Sequence, residues 1–142
     1  MPPWSLSALV AALCLALHYL TLRAASGKIS DVLGALCVEA SAAVGVLVLL
    51  LLRAGHAQPT TSTGLFWSCM SGFAIAGLSV LLFVALRQGA PVSGTGMLVY
   101  GGGMALAALV APFLFDEPFT LRRAIGVALG FGSLIILGTE RS

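Results

Sequence analysis

Residues 32–52 have the sequence VLGALCVEASAAVGVLVLLLL, an apolar stretch in which Glu39 is the single charged residue. About twenty helical residues cover about 30 Å, the thickness of the hydrocarbon core of a bilayer. An ionised side chain placed at that depth costs on the order of 3 kcal/mol on insertion scales. Lipid does not solvate such a group, so protein, water or a bound cation must do so. The helical neighbours of Glu39 are mostly small, which allows either tight packing or space for a ligand.

The composition is that of a membrane protein. Of the 142 residues, 59% are hydrophobic and 8% are charged, and the mean hydropathy is +1.08. A soluble domain carries about 25% charged residues, so little chain remains for a soluble catalytic domain. The net charge of +2 gives no basis for nucleic-acid binding, and no nucleotide-binding, nucleophile or zinc-protease motif occurs. We therefore expect no enzyme, no cofactor, no metal site and no nucleic-acid partner.

Five apolar runs predict an all-α, polytopic integral membrane protein in which residues 1–142 form a single five-helix module. Each helix satisfies its own backbone hydrogen bonds, which is the condition for crossing lipid. Ser30 or Asp31 is placed to cap the second helix. The predicted helices cover residues 5–22, 32–52, 64–86, 92–115 and 120–137.

Three cysteines lie inside these apolar runs, and their spacing is not paired. Paired spacing would be needed for a metal site or a disulfide framework. We interpret Cys14, Cys37 and Cys69 as small buried side chains.

The basic residues leave the orientation in the membrane nearly undecided. With five spans the termini lie on opposite faces, and the positive-inside rule depends on the difference in Lys and Arg between those faces. Either the insertion machinery or a partner fixes one orientation, or copies insert both ways and pair as an antiparallel dimer. The face opposite the N-terminus receives Arg23, Lys28, Arg87 and Arg141, and the N-terminal face receives Arg53, Arg122 and Arg123.

The second half of the chain resembles a known family. Residues 82–93, LFVALRQGAPVS, resemble the junction between helices three and four of EamA-type modules of the drug/metabolite transporter superfamily. Residues 115–120, FDEPFT, resemble the acidic turn before the last helix of such modules, and Gly126 with residues 130–132 resembles their final span. The resemblance covers residues 64–138, and the first two helices agree in length and order alone.

This resemblance implies a five-helix transport module. Most family members carry two modules fused as inverted repeats, and a minority are single modules expected to pair. Glu39 departs from the family, because its modules often carry a basic or neutral residue in helix two. The substrate class is therefore not carried over.

His18, Glu39 and Tyr100 lie within about one helical turn of the same depth, counted from the predicted helix ends. If the helices surround one cavity, Glu39 is a proton or cation site and the other two are its hydrogen-bond partners. Each residue also has a structural interpretation. Glu39 would then be bonded to a neighbouring helix, His18 would be an interior or interfacial group, and Tyr100 would be packing.

Two groups of glycines lie within the predicted helices. The run Gly101-Gly102-Gly103 indicates either a bend or close helix contact, or backbone that lines a substrate path. The spacing of Gly126 and Gly130, together with Gly132, predicts a helix-association face.

These observations predict a secondary transporter of a small metabolite or cationic drug-like solute, coupled to protons through Glu39 and acting as a dimer. One alternative is a flippase for a lipid-linked sugar. Another is a non-catalytic accessory subunit of a larger membrane complex, with a related membrane subunit as partner. In each case we expect an integral protein of the bacterial inner membrane that contacts the lipid bilayer.

Overall fold

A computed structural model describes residues 4–53, 60–116, 118 and 120–138, and every regular element in these ranges is helical. Helices α4 and α5 are joined without a break by a π-helical turn, Met97–Gly101. The helices are α1 (Trp4–Ala25), α2 (Asp31–Leu52), α3 (Ser62–Arg87), α4 (Val92–Gly96), α5 (Gly102–Phe115) and α6 (Leu121–Gly138).

The all-α prediction is confirmed, and the helix bounds agree closely with the predicted ones. The largest difference is at α1, which continues to Ala25 instead of ending near residue 22. Ser30 caps α2, as predicted, with its hydroxyl accepting from the Leu33 backbone N–H at 3.4 Å. Four helices are long and apolar enough to cross a membrane: Ser5–Ala25, Asp31–Leu52, Ser62–Arg87 and Val92–Phe115. A fifth span over α6 stays a prediction.

The described chain forms two compact units. One is Thr21–Gln88, and the other combines the residues up to Leu20 with those from Gly89 onward. The prediction of a single module over residues 1–142 is not tested by this division.

In the unit Thr21–Gln88, α2 packs against α3 where Gly34 leaves a notch for the ring of Phe83. Gly34 faces Phe83 so closely that a Cβ at Gly34 would lie 2.7 Å from the Phe83 Cζ atom. Phe83 is 1% exposed, and Leu82 and Leu86 beside it are as deeply buried. The absence of a side chain at Gly34 therefore lets the two helices approach at this level.

Polar contacts join the start of α2 to the end of α3. Arg87 donates to both carboxylate oxygens of Asp31, with its Nη2 2.8 Å from Oδ2. Arg23 donates from Nη1 to the Leu86 carbonyl at 2.6 Å, which satisfies an acceptor in the last turn of α3. The end of the pair is thus fixed by three residues that carry charge.

In the second unit, Tyr19 is the buried aromatic residue. It is 7% exposed, and a Cβ at Gly96 would lie 3.4 Å from its ring. The buried Thr95 donates its hydroxyl proton to the Pro91 carbonyl at 2.8 Å. The π-helical turn follows directly and ends at Gly101, so the helix departs from α geometry where the glycine run begins.

The prediction for the cysteines was wrong. Cys14, Cys37 and Cys69 are free thiols, and all three side chains are exposed. In a membrane protein an apolar residue on the outer surface of a helix is as favourable as one inside, so hydrophobicity did not indicate burial.

Candidate functional site

Glu39 lies inside the membrane-spanning length of α2. It follows Asp31, the first residue of the helix, by eight positions, which at 1.5 Å per residue is about 12 Å along the axis. Its side chain is half-buried. The carboxyl group is therefore well below the polar end of the helix pair, at a depth where lipid alone would not solvate it.

Ser79 on α3 supplies the hydrogen bond that Glu39 needs. The Ser79 hydroxyl donates to Glu39 Oε1 at 2.6 Å, and Ser79 is 5% exposed. That distance falls within the range of about 2.5–2.7 Å typical of a hydroxyl bonded to a carboxylate. Both partners belong to candidate membrane spans. The contact therefore joins two helices through a polar pair in an apolar region.

Three contacts fix the antiparallel register of α2 and α3. The Asp31–Arg87 ion pair is at one end, the contact of Gly34 with Phe83 is next, and the Glu39–Ser79 hydrogen bond is the third. Glu39 is eight residues from Asp31, and Ser79 is eight residues from Arg87. Since both helices rise equally per residue, these two polar contacts lie at matching depths.

The polar pair marks the place where the packed half of the two helices ends. From residue 40 to residue 52 of α2, every described side chain is exposed, and the same holds for residues 62–77 of α3. On the other side lie the buried Leu82, Phe83 and Leu86. Glu39 therefore borders a part of the helix pair in which every described side chain is exposed.

The other two predicted site residues lie in the second unit. His18 and Tyr100 are half-buried, and the Tyr100 ring meets Tyr19 edge to face, with centroids 5.8 Å apart at 75°. Tyr100 belongs to the π-helical turn, a feature that often occurs at functional sites. The convergence of His18 and Tyr100 on Glu39 stays a prediction.

Sequence reasoning missed two residues. Ser79 was not singled out, although pairing Asp31 with Arg87 and counting eight residues inward along each helix places Ser79 opposite Glu39. Tyr19 was not singled out either, although its neighbour His18 was. No pattern in the sequence indicated that Tyr19 is the buried partner of Tyr100.

Two furrows lie along α5 and α6. The first has a volume of about 520 Å³ and includes Arg122 and Arg123 in its lining. The second, of about 570 Å³, is lined by apolar residues and glycines such as Leu98, Gly102 and Phe131. Glu39 is not among the described lining residues of either furrow.

Comparisons with known proteins identify two relatives. The chain is 32% identical over 93 residues to the uncharacterized protein y4nH of Sinorhizobium fredii, across 62% of this chain and 80% of the relative. It is 28% identical over 94 residues to the multidrug resistance protein EbrB of Bacillus licheniformis, across 66% of this chain and 73% of the relative. No family model matches the chain, so the EamA resemblance is not confirmed. No solved structure matches it either.

The four apolar helices of the described chain indicate an integral membrane protein. The chain belongs to the same family as y4nH.

Proposed function

We propose that this protein is a secondary transporter of a small metabolite or cationic drug-like solute, coupled to protons through Glu39 and acting as a dimer in the bacterial inner membrane. The observation that supports it most is the Glu39–Ser79 hydrogen bond between two candidate membrane spans. The name of EbrB, a multidrug resistance protein, favours a drug-like solute.

The hydrogen bond from Ser79 can form in either protonation state of Glu39. Ser79 donates to Oε1 when the carboxyl is ionised, and the same oxygen still accepts when the other oxygen carries a proton. Within the described residues the hydrogen bond from Ser79 uses Oε1, which leaves the second oxygen for a proton or a solute cation. Competition between these two occupants is the coupling step of the proposal.

The uncovered halves of α2 and α3 provide the access that such exchange needs. Glu39 lies where the packed part of the helix pair ends, and the described residues beyond it are exposed. A second copy of the chain would close this region and complete a site. An antiparallel pair would present the two copies of Glu39 to opposite faces in turn, which is the geometry of alternating access.

The test is transport by the full chain in proteoliposomes with an imposed pH gradient, using ethidium as the fluorescent cation. Wild-type protein is expected to move ethidium faster when the gradient is present. Glu39→Gln keeps an oxygen that accepts from Ser79 but cannot exchange a proton, so it should fold normally and lose the response to the gradient. An unchanged response in Glu39→Gln would exclude the coupling role.

The accessory-subunit alternative is favoured by the same bond, because a structural carboxyl paired between helices is what it predicts. The two functions differ in the expected behaviour of Glu39→Gln. A structural pair tolerates this replacement in every assay, and the protein then co-purifies with a different membrane subunit. No observation favours the flippase alternative over these two.

A further inference from the structure

The packed half of the α2–α3 pair lies between Glu39 and one end of the two helices. Its centre is the contact of Phe83 with Gly34, and Phe83 is four residues from Ser79 and four from Arg87. At 1.5 Å per residue, the position of Phe83 is about 6 Å along the axis from the polar pair and about 6 Å from the ion pair at the helix ends. A route between the two helices from the carboxyl to that membrane face therefore passes this ring.

The packing around Phe83 closes the space between the two helices at this level. Phe83 and Leu86 are both buried, and so is Ala35, which follows Gly34 on α2. A Cβ at Gly34 would lie 2.7–3.0 Å from three atoms of the ring, so the ring fills the space that the missing side chain leaves. The Glu39 carboxyl is thus closed toward the face at which α2 begins and α3 ends.

The contacts outside the ring are of a kind that can break. Arg87 pairs with Asp31, but its side chain is 54% exposed. Exposed ion pairs contribute little to stability, and salt weakens them. Arg23 adds one hydrogen bond, to the Leu86 carbonyl. The buried ring of Phe83 is therefore the main barrier to separating the helices at this end.

The other half of the same two helices has no such closure among the described residues. Every side chain of residues 40–52 and 62–77 is exposed, and a Cβ at Gly45 or Gly72 would meet no atom within 4 Å. The polar pair is thus closed on one side and open on the other. This asymmetry is what alternating access requires of a single conformation, because a site that opens to two faces must lose each closed half in turn.

We propose that Phe83 in the Gly34 notch is the gate that closes the Glu39 site toward the face at which α2 begins, and that Asp31 and Arg87 hold this gate shut. The proposal rests on the transport role proposed for Glu39, and it adds which contacts separate when the carboxyl opens to that face. Each transport cycle then requires Phe83 to leave the notch and return.

The first test measures proton leak in proteoliposomes that contain the full chain and an internal pH dye. Phe83→Ala removes the gate, so protons reach the carboxyl from both faces and an imposed pH gradient should decay several-fold faster than with wild-type protein. Adding Glu39→Gln to Phe83→Ala should stop the leak, because no carboxyl then carries the proton. Phe73→Ala is the matched control, since its ring lies exposed on the same helix, and the gradient should decay as in the wild type.

A cross-link tests the gate independently of the folding of Phe83→Ala. With the three native cysteines replaced by alanine, Asp31→Cys with Arg87→Cys places two thiols where the ion pair joins the helices. A short bifunctional methanethiosulfonate that joins them should abolish gradient-driven ethidium transport while ethidium still binds, and a reducing agent should restore transport. A monofunctional methanethiosulfonate on the same variant is the control and should leave transport in place.

Undiminished transport after cross-linking would overturn the gate, and so would equal proton leak with Phe83→Ala and Phe73→Ala. A leak that persists when Glu39→Gln is added would mean that protons bypass the carboxyl, which also contradicts the proposal. Failure of the transport role itself has a different signature, because Glu39→Gln alone would then respond to the pH gradient as the wild type does.

Discussion

At the scale of single residues, the Ser79 hydroxyl is the group on which Glu39 depends. A hydrogen bond to a charged group contributes about 1.5–3 kcal/mol, so Ser79→Ala should slow gradient-driven transport about tenfold or more. Ser79→Thr retains the hydroxyl and should restore most of the rate. The measurement is initial transport rate against solute concentration, with folded protein quantified in parallel.

Ser71 provides a matched control on the same helix. Its side chain is exposed, so Ser71→Ala removes a hydroxyl from α3 without disturbing the polar pair. If Ser79→Ala and Ser71→Ala transport equally well, Ser79 does not position Glu39.

The contact of Gly34 with Phe83 allows a prediction about the stability of the helix pair. Gly34→Ala would place a methyl group 2.7 Å from the Phe83 Cζ atom in the buried part of the helix pair. Overpacking of this kind costs about 1–3 kcal/mol, so thermal unfolding should occur at a lower temperature. The double variant Gly34→Ala with Phe83→Leu should recover part of the loss.

Gly45 on the same helix is the control for Gly34. A Cβ there meets nothing within 4 Å, and alanine is a better helix former by about 1 kcal/mol. Gly45→Ala should therefore be neutral or stabilising. Equal effects of the two alanine variants on the unfolding temperature would contradict the role assigned to the Gly34 notch.

At the scale of elements, the helices and their order could be predicted because apolar length alone specifies a membrane helix. The register of α2 and α3 was also present in the sequence. Asp31 and Arg87 are charges at adjoining helix ends, and pairing them places Glu39 opposite Ser79. The sequence analysis compared the depths of residues within their helices, but it did not pair Asp31 with Arg87.

Other features could not be predicted for a physical reason. Nearly uniform hydrophobicity around each helix removes the periodicity that distinguishes inner from outer faces. The hydropathy pattern therefore does not distinguish the exposed position of Cys37 from the buried position of Tyr19. The π-helical turn contains Tyr100 and ends at Gly101, and the glycine run that begins there indicated only the region.

At the scale of the whole molecule, the near tie in basic residues does not depend on the number of spans. With five spans the two faces carry four and three Lys or Arg residues, and with four spans Arg141 changes face and the counts become three and four. The positive-inside rule gives little preference in either case. We therefore expect copies to insert in both orientations.

Cysteine labelling in sealed vesicles tests this expectation. In a background with Cys14, Cys37 and Cys69 replaced by alanine, Gln88→Cys introduces a thiol in the exposed turn after α3 without changing charge. An impermeant maleimide should label about half of the chains from each face. Thr60→Cys, at the opposite end of α3, should give the complementary result, and labelling of either position from one face alone would establish a single orientation.

The exposed halves of α2 and α3 have a consequence for how a solute arrives. Because the described residues beyond Glu39 are exposed and mostly apolar, a second copy that covers one side of the helix pair would leave the other side open to lipid, and a hydrophobic cation dissolved in one leaflet would then reach the carboxyl sideways, without first crossing water. Its effective concentration at the site is then set by how strongly it partitions into the membrane. Apparent affinities across a series of solutes should consequently rise with their oil–water partition coefficients.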